Sequence, residues 1–327
     1  MGNMKWPNEF YMNLNRYQLL AVTTVIATIV LIFVGGLVRA SGAGLGCPDW
    51  PKCFGMWIPP TSAEALPPGF NPEEFNPLHT WLEYVNRLVG VLIGFLITLT
   101  FVFSWKYRNT DPVITASAGV AFILVLFQGW LGGQVVQSGL SAGLITLHMV
   151  MAMIIVNALL FTAFRSSSRQ LDIQLSGTLK TRLMSIGVIM LVLILIQMII
   201  GTQVREMIDV IKNVPEPPPR SAWIGMLESW MYPVHRSFSW VVVAVTAWFW
   251  WVNRKNNVTR SLRVLSNIVV KLVLLQILLG VGLEWLDMPG VLQVLHLVGV
   301  ALLICSVFLY ILMVGFSRTK KENPEVA

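Results

Sequence analysis

Apolar residues run through this chain in blocks of roughly 20, broken by short polar stretches. The blocks do not alternate every second residue, as the strands of a membrane barrel would. Eight can be marked, at about 17–38, 79–104, 113–136, 141–164, 182–203, 230–252, 263–283 and 290–315. A very short turn around Ser138-Gly139 joins the third block to the fourth. A similar turn around Met288-Pro289-Gly290 joins the seventh to the eighth, so both pairs should be antiparallel neighbours. The pattern predicts an all-α integral membrane protein with eight transmembrane helices, arranged as two pseudo-symmetric four-helix bundles. The halves are placed at residues 1–170 and 171–327.

Composition agrees. The 327 residues are 55% hydrophobic and only 12% charged, unlike a soluble globular protein. The net charge of +7 does not point to nucleic acid, because the basic residues gather in particular loops and no basic stripe with interleaved aromatics occurs. Met1 to Asn15 carries Trp6, Glu9 and several Asn, so it reads as neither a cleavable signal nor an Arg-rich transit peptide. The first span is expected to be an uncleaved anchor.

Orientation follows from Lys and Arg. Lys5 and Arg16 precede the first span. Lys106 and Arg108 follow the second; Arg165, Arg169, Lys180 and Arg182 surround the loop after the fourth. Arg254, Lys255, Arg260 and Arg263 follow the sixth, and Arg318, Lys320 and Lys321 the eighth. All of these fall on one side, read as cytoplasmic together with both termini. The loops at about 39–78 and 204–229 are long, Pro-rich and mixed in charge, and face outward.

Polar residues inside the spans are few and evenly placed. Asn86, His148, His235 and His296 each lie about six to eight residues into an even-numbered span, roughly 10 Å below the outer surface. Asn86-Arg87 and His235-Arg236 are 149 residues apart; His148 and His296, and likewise Gln128 and Gln276, are 148 apart. Arg39 and Arg205 close the first and fifth spans, 166 apart. A four-span shift preserves orientation, so this is a parallel repeat about an axis along the membrane normal.

Intramembrane polar groups are costly and mark function by default. Two imidazoles at one depth, His235 and His296, can hold a haem iron from both faces. The plainer alternative is that each bonds a neighbouring helix. Zinc fits less well, since no carboxylate or third imidazole joins them. In the first half His148 faces Asn86, which is not a usual iron ligand, so that site reads as five-coordinate or open, or as a decayed second site. Glu83 lies one turn before Asn86, where it could handle protons or steady a cationic intermediate, or simply pair with Arg87 at i+4. Arg39, Arg87, Arg205 and Arg236 form an outer ring suited to haem propionates, or to snorkelling towards lipid phosphates. His79, seven residues before Asn86, reads as interfacial, and would replace the missing ligand only if the haem sat higher than in the other half. Cys47 and Cys53 fit either a structural loop staple or a redox-active pair. Cys305 reads as inert packing.

Three stretches carry a family resemblance: Gly35-Gly36-Leu37-Val38-Arg39-Ala40-Ser41-Gly42-Ala43-Gly44, Cys47-Pro48-Asp49-Trp50-Pro51-Lys52-Cys53 and Glu83-Tyr84-Val85-Asn86-Arg87. With His148, His235-Arg236 and His296 in the expected spans, the chain resembles the haem A synthase family over nearly its whole length. The resemblance implies an oxidoreductase acting on a CH or CH2 group. It would oxidise the C8 methyl of haem O to a formyl group by successive hydroxylation, for haem-copper oxidase biogenesis. It implies haem b on His235 and His296 in residues 171–327. In residues 1–170 it implies haem O near His148, with Glu83 catalytic. It also implies a Cys47–Cys53 disulfide and the cytoplasmic (inner) membrane of a bacterium. The implied partners are haem O synthase, oxidase assembly factors, membrane lipid and an electron partner that the sequence does not name. One position departs: the family usually has His where Asn86 stands. Two other classes fit the same residues, a di-haem b electron-transfer cytochrome and a haem carrier.

Overall fold

The computed structural model describes residues 14–168, 172–212, 214, 216–227, 229–256 and 258–320. Lys5, Arg169 and Lys321, counted above as cytoplasmic, lie outside these, as do residues 1–13 of the leading stretch. Eight α-helices of 25 to 36 residues dominate the described chain: α1 (Arg16–Ser41), α2 (Pro77–Ser104), α3 (Pro112–Gln137), α4 (Ala142–Ser167), α5 (Gly177–Lys212), α6 (Met231–Lys255), α7 (Arg260–Trp285) and α8 (Gly290–Gly315). Seven are long and apolar enough to cross a membrane. α6 has the length but is more polar, with His235, Arg236, Ser237 and Ser239 near its start and Asn253, Arg254 and Lys255 at its end.

Seven helices keep within three residues of the edges that the apolar blocks predict. The exception is α5. Its 36 residues span about 54 Å, well beyond a hydrocarbon core of about 30 Å. Residues 204–212, read above as outer loop, are therefore helix, and they carry Arg205, Glu206, Asp209 and Lys212 out past the apolar run.

Local chemistry explains several ends. α1 begins at a capping box, with Gln18 N–H donating to Asn15 Oδ1 at 3.1 Å and Asn15 N–H donating to Gln18 Oε1 at 2.8 Å. It stops at Gly42, whose φ of 80° lies in the left-handed region. Pro77 and Pro112 open α2 and α3, where a missing N–H costs nothing. The α3–α4 and α7–α8 turns repeat each other. Gly139 and Leu140 have φ of 65° and 66°, and Asp287 and Met288 have φ of 58° and 55°. Leu140 N–H donates to Val135 O at 2.9 Å; its counterpart Met288 N–H donates to Leu283 O at 3.1 Å.

Helix packing forms two closed rings, α1–α2–α3–α4 and α5–α6–α7–α8. The rings meet through α1 against α8 and through α4 against both α5 and α8. Buried apolar side chains fill the inner part of the second ring, among them Met190, Ile194, Phe249, Val252, Leu262, Ile304 and Tyr310. At that same end a short parallel pair, β1 (Gln174–Leu175) with β2 (Arg318–Thr319), ties the α4–α5 loop to the chain after α8. Nothing in the apolar pattern predicts it. Arg165 there pairs with Asp111 at 2.9 Å, bringing a second basic loop to the same end.

Candidate functional site

The even helices place the four sequence-marked positions nine (Pro77 to Asn86), six (Ala142 to His148), four (Met231 to His235) and six (Gly290 to His296) residues in. That is wider than the six to eight expected, because α2 and α6 begin at different heights. The neighbouring odd helices supply a better register. Each marked side chain lies against a glycine one helix back. A Cβ on Gly201 of α5 would stand 2.8 Å from His235 Cε1; on Gly132 of α3, 3.3 Å from His148 Cε1; on Gly280 of α7, 3.8 Å from His296 Cε1. A Cβ on Gly35 of α1 would stand 3.8 Å from Asn86 Oδ1. Glycine is needed most where the ring presses hardest on the backbone, at Gly201.

In the second ring the His235 and His296 ring centres are 6.5 Å apart, with planes at 70°. A metal atom with an imidazole nitrogen about 2.0–2.1 Å away on each side, plus about 1.1 Å from nitrogen to ring centre, gives about 6.3 Å. A cavity of about 440 Å³ contains both rings, and is lined further by Arg39, Arg205, Arg236, Gln276 and Trp240. That volume lies in the roughly 300–1,000 Å³ range of small-molecule sites. Among the described residues no three His, Cys, Asp or Glu side chains come together to hold a bare metal ion. Two facing imidazoles across a largely apolar cavity suit instead an iron already held by a flat macrocycle. The Nδ1 atoms of His235 and His148 are buried without a hydrogen-bond partner in the described structure.

Three glutamines repeat one contact. Gln128 Nε2 donates to His148 O at 2.9 Å and Gln197 Nε2 to His235 O at 2.8 Å. With its side-chain amide turned over, the Gln276 nitrogen donates to His296 O at 3.2 Å and to His296 Nδ1 at 3.0 Å. Gln128 and Gln276 stand out in the sequence as a matched pair. Gln197 was legible too, because all three precede the facing glycine by four residues. At the fourth position Leu31 precedes Gly35.

The arginine ring divides. Arg39, Arg205 and Arg236 line the second-ring cavity, whereas Arg87 does not. Arg39 and Arg205 share Asp209 at 3.1 and 2.9 Å, and Lys212 joins at 3.5 Å. Three cations around one carboxylate leave positive charge at the cavity mouth. Arg236, mostly exposed, pairs with Glu284 at 3.0 Å. Asp209 was missed because its partners lie on two helices, one of them distant in sequence. Glu206, also missed, is buried between the rings and accepts from Thr146 Oγ1 at 2.8 Å.

Arg87 faces the outer loop. It donates to Asp49 O and Lys52 O, both at 2.8 Å, and pairs with Glu83 at 2.5 Å. Glu83 is only 4% exposed, and its second oxygen accepts from Cys47 N–H at 2.9 Å. Cys47 and Cys53 are bonded and fully buried. The loop is thus pinned onto α2 by the Glu83–Arg87 pair, and onto α3 by Trp50, whose ring leaves no room for a Cβ on Gly133. His79 lines a separate cavity of about 190 Å³ within that loop, with Leu45, Phe54 and Glu74. Cys305 is buried among apolar residues of the first ring.

Fold and site together define a helical integral membrane protein with an imidazole-faced cavity. The cytochrome oxidase assembly protein family matches residues 18–308, and the chain belongs to it. Its relatives include a protein of Shewanella oneidensis named Heme A synthase, 24% identical over 86% of this chain and 92% of that relative. A protein of Nitrosomonas eutropha with the same name is 24% identical over 84% of this chain and 86% of its own length. One of Alkalihalophilus pseudofirmus, again Heme A synthase, is 32% identical, but the match spans only 40% of that relative and 41% of this chain.

Proposed function

We propose that this protein is an oxidoreductase of haem A biosynthesis that converts the C8 methyl of haem O to a formyl group. The observation that carries this is the unequal pair of sites. One ring offers two imidazoles at iron-spanning distance. The other offers one imidazole, an amide and, one turn away, a buried carboxylate. That inequality supports one electron-transferring centre and one reacting centre. The name shared by relatives matched over most of this chain supports the reaction class.

In this reading residues 171–327 hold haem b on His235 and His296, and residues 1–170 receive haem O near His148. Bound haem b supplies reversible one-electron exchange. The chain's own groups orient and shield. Arg39, Arg205 and Arg236 carry the charge that would hold propionates at the cavity mouth. Glu83 would hold or move a proton at its carboxylate. Arg87 and the Cys47 N–H fix that carboxylate's position. α6 also spans, which makes eight spans in all, and both termini and the Lys/Arg-rich loops face the cytoplasm of a bacterium.

The pigments extracted from purified protein test this. Chromatography should yield haem b together with haem O and its hydroxylated or formylated products. Glu83→Ala should let haem O accumulate at least tenfold over product. Haem b alone would make the protein an electron-transfer cytochrome; loosely held, unmodified haem would make it a carrier.

A further inference from the structure

Four quadrants of the two rings are built on one plan, and three of them are complete. In each of those three a glycine faces an imidazole, and a glutamine four residues earlier bonds the histidine's carbonyl. The fourth has lost both polar partners at once: Leu31 stands for glutamine and Asn86 for histidine. It has kept its glycine, with the same clearance that Gly280 leaves for His296. A Cβ added to Gly35 would meet only Asn86 Oδ1, at 3.8 Å. Asn86 Oδ1 is also buried with no hydrogen-bond partner among the described residues, which native structures rarely leave without a reason.

We propose that the Asn86 quadrant is a binding position for a small neutral ligand, water or a diatomic gas, opposite His148. The Asn86 carboxamide, with Oδ1 buried and unbonded among the described residues, is the polar group offered to that ligand. Its amide can donate to the ligand's far atom or accept from a bound water, which a ring nitrogen committed to iron could not do. Leu31 fits the same purpose: with no histidine to orient, no glutamine is needed, and an apolar neighbour keeps the pocket dry. This rests on the reading above that haem binds at His148. It adds that the iron's other face is left open by design of the chain, not by decay of a ligand. His79 does not fill the gap, since it lines the separate loop cavity.

Carbon monoxide is the probe. The purified, haem-loaded, full-length protein, reduced with dithionite, should bind carbon monoxide at one of two haems. Asn86→His should abolish that binding and raise the six-coordinate low-spin fraction. Asn86→Leu should keep the binding and raise the C–O stretching frequency, because a hydrogen bond to the ligand is gone. Two haems per chain with no carbon monoxide binding in the parent would overturn the proposal and leave the proposed function standing. So would binding that persists unchanged in Asn86→His. A single haem per chain, unaffected by His148→Ala, would instead overturn the reading of the first ring, and this proposal with it.

Discussion

In the second ring two imidazoles meet across a cavity, each against a glycine and each carrying a glutamine on its carbonyl. In the first ring one such quadrant survives, around His148, and the other is rebuilt around Asn86. The outer segments differ in the same direction. The second ring opens to its cavity mouth through Arg39, Arg205 and Arg236. Over the first lies a disulfide-closed loop, fastened by Glu83, Arg87 and Trp50. A duplicated scaffold has thus kept its backbone register while its two ends diverged. Register is set by glycines and turns, which tolerate little change. Ligand and loop identity are set by side chains, which can be exchanged one at a time.

The comparison breaks most readily at the glycines. Gly201→Ala puts a Cβ against the His235 ring, so second-ring haem content should fall several-fold. Gly280→Ala and Gly35→Ala, each with 3.8 Å available, should leave haem content within about a third of the parent. The haem-to-protein absorbance ratio decides; equal losses at all three positions would mean that the glycines serve helix packing generally. A smaller effect should come from making the rings alike. Leu31→Gln added to Asn86→His completes the fourth quadrant and should raise the six-coordinate fraction above that of Asn86→His alone. Electron paramagnetic resonance of the oxidised protein reads this directly. The smallest effect is expected at the loop. Cys47→Ser with Cys53→Ser opens a short closure and should cost about 2 kcal/mol, read as thermal stability in detergent. The His235–His296 spectrum should not change, because the loop does not line that cavity.

Much of this was legible in the chain. The spans follow from apolar length alone, and the repeat follows from spacings of 148, 149 and 166 residues between polar groups that a membrane interior rarely admits. What escaped reading depends on contacts between distant segments. The outer end of α5 carries too many charges to be read as a span, and it stays helical while Asp209 is shared with Arg39 of another helix. Whether Glu83 faced a substrate or a partner was open from spacing. The structure shows the Arg87 pair and adds a second contact, Cys47 N–H, that no periodicity encodes. The β1–β2 pair has only two residues in each strand, too few for a periodicity to show, although Ile173 beside it and Leu175 within it are buried.

The twin turns at Gly139-Leu140 and Asp287-Met288 work as rulers. Each fixes how far α3 is advanced against α4, or α7 against α8, and therefore whether a glycine arrives level with its histidine. One residue inserted at such a turn and taken up into the following helix would shift that helix by about 1.5 Å and about 100°. The imidazole would then be carried away from its niche while every span kept its length and apolarity. Hydropathy would not register such a lesion, yet the pairing of glycine with histidine would be gone. The tolerance of this protein to length variation should therefore be lowest in these two turns and greatest in its long outer loops.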